Sequence, residues 1–434
     1  MNILRRLFLT SLLFAGILTI TAGQGIVLNQ SNESGIYKKG ETVTVSVSLS
    51  GTESDSIQVR IRKDGNRQVS QQNIRYSGNK QVIFSKSFNK PTALIFEVRV
   101  GRNSAGIGAV VDPEGFKPGL KRPKDFDKFW ENEKKALRAL PMEVKKVPVE
   151  NVAEGYECSD MEINCTGPKP ARGYFARPTS AKPKSLPIVL FVHAAGVSGS
   201  WCLSQPENAL NYAKMGNGAL AFDLNAHGML DGQPAEYYRG LENGELRNYS
   251  AIGIENRNEY YFRGMYLRLM RTLDFLTSQP EWDGKRILVI GESQGGGQAL
   301  AAAGLDHRVS AVVATVPAMC NFYPPFDNAI GGWPDPSGTQ YNKEKLLKTV
   351  PYFDNVNILK GSKATMVVEI GLIDVTCPSY DVYAALNQAD GKKIILPVPF
   401  RGHQIGQVRN RELRSLWDRT VNKAKNDFIA DYLK

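Results

Sequence analysis

The clearest structural signal in the sequence lies at residues 287–297, Ile-Leu-Val-Ile-Gly-Glu-Ser-Gln-Gly-Gly-Gly. Four consecutive apolar residues, 287–290, are typical of a strand that is buried on both faces. They lead into Gly291-x-Ser293-x-Gly295, and an alanine-rich segment that favours a helix follows at 298–303. A strand–turn–helix context lets this pattern present a serine hydroxyl at the carboxyl edge of a sheet. The stretch therefore predicts Ser293 as a nucleophile, with an ordinary glycine-rich turn as the alternative.

Further apolar runs of the same kind surround this stretch. They lie at 188–192, 219–222, 309–316, 365–370 and 394–398. Apolar residues recur at helical spacing between 262 and 276 and again between 413 and 428. Alternating strands and helices predict an α/β fold with a mainly parallel sheet, the α/β-hydrolase domain, over residues 125–434. An apolar helical face at 126–140, ended by Pro141, predicts the helix that opens this domain.

The segment 24–112 has a different pattern. Val43, Val45 and Val47 alternate with polar residues, and turn clusters separate several such runs. Short alternating strands predict an all-β, Ig-like sandwich of about seven strands. The segment holds no histidine and no cysteine, so we expect a packing or spacer module whose removal preserves turnover of a small ester. A segment rich in proline, glycine and lysine at 113–124 is interpreted as a linker.

Composition excludes several classes of protein. The chain has 434 residues, of which 42% are apolar and 22% charged, which is ordinary for a globular protein and not for a disordered or polytopic membrane chain. The net charge is +11, but basic residues are scattered among acidic ones, so we expect no nucleic-acid partner.

The first residues of the sequence have the pattern of a targeting signal. Arg5 and Arg6 precede an apolar run at 7–20, and Thr21-Ala22-Gly23 supplies small residues for cleavage. This pattern predicts a signal peptide at 1–23, export to the periplasm or the exterior, and no membrane span in the mature protein.

The five cysteines do not form a disulfide pattern. Cys158 and Cys165 lie seven residues apart on one extended segment, which puts them on opposite faces and beyond bridging distance. Cys320 and Cys377 flank the candidate catalytic loops, and we expect both to be buried in packing. The sequence thus predicts mostly buried free thiols.

The chain has only four histidines, so the choice of base can be enumerated. His193 and His227 precede the Ser293 turn, and His307 falls at the opposite edge of the sheet from the serine. His403 alone follows a late strand, at its carboxyl edge. A serine nucleophile also needs a carboxylate to orient the base. Asp374 has several alternatives, including Asp354 and Asp381, but only Asp374 follows a buried strand directly.

An oxyanion hole needs two backbone N–H groups. The residue after the nucleophile, Gln294, supplies one. The loop after an early strand, His193-Ala194-Ala195-Gly196, supplies the other, from Ala195 or alternatively Ala194. His193 itself is interpreted as a loop-packing residue.

Three motifs resemble the acetyl xylan esterase/cephalosporin-C deacetylase family of α/β-hydrolases, over about 120–434. They are Gly-Glu-Ser-Gln-Gly-Gly-Gly at 291–297, Gly-Leu-Ile-Asp-Val-Thr-Cys-Pro-Ser at 371–379 and Tyr-Phe-Asp-Asn-Val-Asn at 352–357. The segment at 123–130, Pro-Lys-Asp-Phe-Asp-Lys-Phe-Trp, at the start of the predicted hydrolase domain, also resembles this family. The resemblance implies Ser293 as nucleophile, Asp374 as acid and His403 as base.

The resemblance also implies what the enzyme acts on. Family members remove acetyl groups from xylan-derived and other acetylated carbohydrates, use no metal or other cofactor, and often form homo-oligomers. Two departures stand out. Asn225-Ala226-His227-Gly228 replaces the usual Arg-Gly-Gln, and His403-Gln404 replaces the usual His-Glu. The sandwich is an addition to the compact family form.

An aromatic segment, 321–334, follows one of the sheet strands. Tyr323 and Trp333 are candidates to line the acyl or sugar pocket. A packed excursion or a subunit contact is the alternative.

Two other functions compete with a secreted carbohydrate esterase. A prolyl-oligopeptidase-like peptidase also joins a β domain to this fold, but the β region is too short for a propeller and Gln294 stands where such peptidases commonly carry an aromatic residue. An inert carbohydrate-binding protein is opposed by the intact Ser/Asp/His order, and a nitrophenyl acetate assay separates the two.

Overall fold

The computed structural model describes residues 25–51, 55–65, 70–325, 328–336 and 340–434. The predicted signal peptide, 1–23, lies outside these ranges. Among the residues described, all five cysteines are free thiols, and four of them are buried, which confirms that prediction. No helix in these ranges has the length and apolar character needed to cross a membrane.

Residues 25–111 form two sheets around an apolar core. The strands are β1 (Gly25–Gln30), β2 (Ile36–Tyr37), β3 (Thr42–Ser50), β4 (Ser56–Lys63), β5 (Ser70–Arg75), β6 (Gln81–Ser87), β7 (Thr92–Val100) and β8 (Asn103–Val111). One sheet has the order β1-β3-β6 and the other β2-β8-β7-β4-β5. Val43, Val45 and Val47 are fully buried between the sheets, as their alternation predicts. The described sandwich has eight strands where the sequence indicated about seven.

The rest of the chain is built on a nine-stranded sheet. Its strands are β9 (Val144–Pro148), β10 (Tyr156–Ile163), β11 (Ala171–Pro178), β12 (Leu186–Val192), β13 (Leu220–Asn225), β14 (Trp282–Glu292), β15 (Ala311–Thr315), β16 (Thr365–Gly371) and β17 (Lys393–Val398). The order is β17-β16-β15-β14-β12-β13-β11-β10-β9. Strands β12 to β17 pair in parallel, whereas β9, β10 and β11 add an antiparallel edge. The predicted α/β fold with a mainly parallel sheet is confirmed.

Helices cover the faces of this sheet. They are α1 (Phe126–Ala139), α2 (Pro206–Ala213), α3 (Ala235–Asn243), α4 (Tyr261–Thr277), α5 (Gln294–Leu305), α6 (Lys343–Thr349), α7 (Asn355–Ile358), α8 (Ser379–Leu386), α9 (Arg411–Trp417) and α10 (Lys423–Tyr432). A π-helical turn, Asp418–Asn422, joins the last two. Short 3-10 turns lie at Pro113–Gly115, Tyr249–Ala251, Val350–Tyr352 and Ile405–Gln407. Strand order reverses between β12 and β14, and ligand sites in such sheets lie at the carboxyl ends of the strands there.

The segment 113–124, interpreted as a linker, is packed along the α/β part. Phe116 is 2% exposed and belongs to the main apolar cluster of the large sheet. Asn387 Nδ2 donates to the carbonyls of Pro113 and Phe116 at 2.9 and 3.2 Å. The Gly119 N–H donates to Asn321 Oδ1 at 2.9 Å. These contacts fix the course of the chain from the sandwich to the large sheet.

Candidate active site

Ser293 occupies the tight turn between β14 and α5. Its backbone has φ 55° and ψ −118°, a conformation that a residue with a side chain adopts only at a cost. The turn needs glycine on both sides, since a Cβ on Gly291 would lie 2.3 Å from the Gly295 carbonyl carbon and one on Gly295 would lie 2.2 Å from the Val192 oxygen. The predicted strand–turn–helix context is therefore present, with the serine at the carboxyl end of β14.

The structure brings together the three side chains that the sequence singled out. His403 Nε2 lies 2.8 Å from Ser293 Oγ, and His403 Nδ1 lies 2.8 Å from Asp374 Oδ2. With the proton on Nδ1, the imidazole donates to the carboxylate and accepts the serine hydroxyl. The His403 side chain is 21% exposed, whereas that of Asp374 is fully buried. This arrangement can deprotonate the serine as it attacks a carbonyl carbon.

The loop after β16 holds the Asp374 carboxylate in place. Asp374 Oδ1 accepts the N–H groups of Thr376 and Cys377 at 2.8 and 2.9 Å, which leaves Oδ2 for His403.

The two alternative carboxylates, Asp354 and Asp381, make other contacts. Asp354 accepts three backbone N–H groups, and burial raises its pKa to about 6. Asp381 accepts from Asn321 Nδ2 at 2.8 Å, and among the described contacts neither of the two meets a histidine.

The other three histidines lie apart from the serine hydroxyl. His193 is buried and hydrogen-bonded to Asp223 and to the Trp201 carbonyl, as a loop-packing residue would be. His307 is exposed between α5 and β15, at the far end of the helix. His227 is buried, with Nε2 2.8 Å from the Gly196 oxygen and Nδ1 2.5 Å from the Tyr261 hydroxyl.

The two predicted oxyanion donors lie on segments that touch each other. The N–H of Gln294 is in the first turn of α5, where backbone N–H groups have no partner within the helix. The loop 193–196, which carries Ala195, crosses this end of α5 beside Gly295. Tyr249 joins the two segments, because its hydroxyl donates to Gln294 Oε1 at 2.5 Å and accepts the Gly196 N–H at 3.4 Å.

His227 is hydrogen-bonded to the loop 193–196 through the Gly196 carbonyl. Burial lowers the pKa of His227 to about 4, so the ring is neutral near pH 7. A neutral ring with its proton on Nε2 donates to the Gly196 carbonyl and accepts the Tyr261 hydroxyl, which fits both distances. The sequence analysis enumerated His227 among the four histidines and noted it in the departure from Arg-Gly-Gln, but it assigned no role to His227 and missed Tyr249. The signal available for His227 was its place directly after a buried strand.

Arg401 is a further residue that the sequence did not single out. Its guanidinium is 1% exposed, donates to Glu292 Oε1 at 2.9 Å and to the His403 carbonyl at 3.3 Å, and pairs with buried Glu369. It thereby ties the residue before Ser293 to the backbone of the histidine. Lys425 and Trp417, from the C-terminal helices, complete the hydrogen bonding of Glu369.

The two aromatic candidates have different surroundings. The backbone N–H of Trp333 donates to the carbonyl of Thr376, two residues from Asp374, at 3.0 Å. The centroid of the Trp333 ring lies 6.3 Å from that of Tyr249. Tyr323 has its hydroxyl 3.3 Å from the Pro336 carbonyl, and its own carbonyl lies against Gly119. Trp333 is therefore near the candidate site, whereas Tyr323 packs on the segment 113–124.

One group in the described ranges places three potential metal ligands near each other. Ligand atoms of Asp374, Cys377 and His403 all lie within 4.8 Å of one another. Asp374 and His403 are already hydrogen-bonded, and burial holds the pKa of the Cys377 thiol well above its usual range. The group therefore fits a hydrogen-bonded pair beside a neutral thiol better than a metal site.

Comparisons with known proteins agree on one family. The sequence profile of the acetyl xylan esterase family (AXE1) matches residues 113–419. A curated relative, the acetyl esterase Axe7A of Xylanibacter ruminicola, is 30% identical over 381 residues, which cover 85% of this chain and 84% of the relative.

Solved structures give the same result. An acetyl xylan esterase from Paenibacillus sp. R4 superposes with a TM-score of 0.59 at 29% identity, over 74% of this chain and 98% of its own. Acetyl xylan esterase 1 from Thermoanaerobacterium sp. JW/SL YS485 has a TM-score of 0.57 and the same coverage, and at 20% identity it supports the fold alone. Both cover almost all of their own length but leave about a quarter of this chain unmatched.

Proposed function

Because this chain belongs to the acetyl xylan esterase family of α/β-hydrolases and hydrolyses carboxylic, acetyl-type esters, we propose that it deacetylates carbohydrates with Ser293, His403 and Asp374 as its catalytic triad. The observation that carries the proposal is the continuous chain of contacts from Ser293 Oγ through His403 to Asp374, each 2.8 Å long. Membership of an esterase family opposes the peptidase and inert-binding alternatives.

The proposed reaction has two stages. Ser293 Oγ attacks the acetyl carbonyl carbon while His403 Nε2 takes the hydroxyl proton, and Asp374 stabilises the imidazolium that forms. Collapse of the tetrahedral intermediate breaks the bond to the sugar oxygen, which receives the proton from His403. Water, deprotonated by His403, then attacks the acetyl-serine, releases acetate and restores the serine.

We propose the N–H groups of Gln294 and Ala195 as the oxyanion donors. Negative charge on the carbonyl oxygen would develop at the N-terminus of α5, where the helix dipole also favours an anion. The Tyr249 bridge between Gln294 and Gly196 supports this assignment, since it holds the two donor segments at a fixed separation.

Trp201 is a candidate contact for the carbohydrate. Its side chain is 65% exposed, which is unusual for a large apolar ring, while its Nε1 donates to the Ala195 carbonyl at 2.9 Å. The hydrogen bond fixes the ring edge on the proposed oxyanion loop and leaves the ring free to meet the C–H face of a sugar. We propose Trp201 as this contact and keep Trp333 as a proposed pocket residue, whereas the packing of Tyr323 on the segment 113–124 favours its alternative, a packed excursion.

Acetate release from acetylated xylo-oligosaccharides, compared with other acetylated glycans and with nitrophenyl acetate, tests the proposed substrate class. We expect release by the full chain and none by Ser293→Ala. Trp201→Ala should lower kcat/KM for the oligosaccharide about tenfold more than for nitrophenyl acetate, whose own fall measures the lost hydrogen bond to the Ala195 carbonyl. Hydrolysis of the small ester with no acetylated carbohydrate accepted would overturn the carbohydrate assignment.

Export and assembly are separate proposals. The segment 1–23 supports export with cleavage near Gly23, which N-terminal sequencing of the protein from the producing cell would test. A homo-oligomer is supported by the family resemblance and is tested by sedimentation of the purified chain.

A further inference from the structure

The sandwich lies against both loops that carry the acid and the base of the proposed triad. At the edge of β8 away from β7, the Gly108 N–H donates to the Pro399 carbonyl at 2.8 Å, four residues before His403. The same glycine lies against Leu372, two residues before Asp374, so closely that a Cβ on it would be 2.3 Å from the Leu372 oxygen.

A second contact lies beside the first. The Gly65 carbonyl, at the end of the β4 turn, accepts the Ile330 N–H at 3.0 Å. Ile330 in turn accepts the hydroxyl of Tyr380, the second residue of α8, at 2.5 Å. A small cavity at this junction is lined by Gly65, Ala93 and Ile95 from the sandwich and by Asp374, Val375 and Tyr380 from the large domain. Asp374, the proposed acid, is therefore one of the residues that line the junction.

The two parts also share one apolar core. Ala93 and Val110 of the sandwich belong to the same buried cluster as Leu372 and Tyr380. An interface of this kind is continuous with the domain core, unlike the polar interface expected between a domain and a spacer. The expectation of a packing or spacer module does not account for contacts that converge on the Asp374 and His403 loops.

We propose that the sandwich is a positioning element for the acid and base of the active site. The inference rests on the proposed triad. The hydrogen bond between Asp374 and His403 joins two loops, and Gly108 contacts both of them, so a shift of β8 changes the separation of the loops. A misplacement of about 1 Å in a catalytic group can cost about 100-fold in rate. The family profile begins at residue 113, so the contact is an addition to the part of the chain that it matches.

Gly108→Ala in the full chain tests the proposal. Gly108 has ordinary strand backbone and pairs with Ile95, so alanine suits its conformation but conflicts with Leu372, whose carbonyl oxygen, carbonyl carbon and Cβ would lie 2.3, 2.6 and 2.6 Å from the new methyl group. These atoms cannot rotate away as the end of a side chain can, so β8 and the Asp374 loop must move apart. We expect kcat for nitrophenyl acetate to fall about tenfold or more, with KM within about twofold and the thermal midpoint within a few degrees.

Two variants serve as matched controls. Gly106→Ala lies on the same face of the same strand, but its nearest neighbour is the flexible end of Ile373 at 3.1 Å, so we expect kcat within about twofold of the parent. Val59→Ala weakens the sandwich core without touching either loop, so it should lower the thermal midpoint and leave kcat unchanged. A fall in kcat for Val59→Ala equal to that for Gly108→Ala would overturn the proposal in favour of a merely structural role.

If Gly108→Ala does not fold, Gln30→Ala takes its place. Gln30 Nε2 donates to the Gly108 carbonyl at 3.3 Å, and its removal inserts no atoms. We expect a fall in kcat of about threefold, and an unchanged kcat would overturn the proposal. Ser293→Ala, run in parallel, separates the two claims: an active Ser293→Ala overturns the triad, whereas an inactive one beside a fully active Gly108→Ala overturns only the role of the sandwich.

Discussion

The nucleophile and its two partners are held by different parts of the molecule. Ser293 sits between the buried strand β14 and the buried helix α5, where two glycines allow β14, α5 and β12 to approach closely. Asp374 and His403 lie on loops after β16 and β17, and the sandwich contacts both loops through Gly108.

The difference separates the part of the chain that the family profile covers from the sandwich that precedes it. The position of the serine is fixed by the core of the α/β domain, which the family profile covers. Asp374 and His403 are also supported by the core of the α/β domain, but in addition the guanidinium of Arg401 binds the His403 carbonyl and the sandwich contacts both of their loops. Changes near the serine should therefore act through strain and lost donors, whereas changes at the sandwich face should act through the Asp374–His403 geometry.

The largest effect is expected on the nucleophile itself. Ser293→Ala should lower kcat by about 1,000-fold or more, because no other group can form the acyl intermediate. The fold should survive, since alanine removes only the hydroxyl and its contact with His403 and leaves the turn unchanged. Ser185→Ala, which removes an exposed hydroxyl bonded to the Lys182 carbonyl, is the control and should match the parent. Activity of Ser293→Ala within tenfold of the parent contradicts the assignment.

The base should be almost as sensitive. His403→Ala should be about as damaging as Ser293→Ala, and the double variant should lose little more, because the two residues act as a unit. The exposed His307 provides the matched control, and His307→Ala should leave kcat unchanged. We would abandon the assignment if His193→Ala or His227→Ala were as severe while His403→Ala was mild.

A smaller effect is expected at the bridge between the oxyanion segments. Tyr249→Phe removes the hydrogen bonds to Gln294 and Gly196 but no donor to the oxyanion itself, so kcat should fall about tenfold. Tyr260→Phe is the control, since its buried hydroxyl donates only to the Ser250 carbonyl in the described contacts. Equal kinetics for the two variants would show that the bridge does not position the donors.

The smallest effect is on stability at acid pH. The pKa of His227 is about 4 in the folded protein against 6.5 ordinarily, so between these values the unfolded chain binds the extra proton. Stability should therefore rise with pH across this window, by about 3 kcal/mol from this group. His227→Gln should flatten that slope in thermal midpoints measured from pH 4 to 6.5, relative to His307→Gln. The opposite slope from Asp354 is present in both variants and cancels.

Much of this site follows from local sequence. A buried strand before Gly-x-Ser-x-Gly predicts the turn at Ser293, and the scarcity of histidines reduces the choice of base to His403. Both inferences depend on the order of residues along the chain and on where each strand ends, and short apolar runs in the sequence indicate both. The helix predicted at 126–140 likewise ends within one residue of its place, because Pro141 stops it.

Contacts between residues far apart in the chain cannot be predicted from such local patterns. The Tyr249 bridge joins residues 45 apart in sequence, and the hydrogen bond from Gln30 to Gly108 spans 78 residues. Gly108 resembles any small residue in a strand, so nothing in its neighbours predicts contact with the Asp374 loop. Of the antiparallel edge, only the β10 segment was expected to be extended, because charged residues interrupt the apolar positions of β9 and β11.

Covalent labelling of the full chain with a fluorophosphonate tests whether His403 activates Ser293, because the reagent bonds only to a serine activated by its base. We expect complete loss of nitrophenyl acetate turnover with one adduct, which peptide mass spectrometry maps to Ser293, and no adduct on His403→Ala in the same time. Loss of turnover with the adduct on another residue, or full labelling of Ser293 in the absence of His403, would contradict the account.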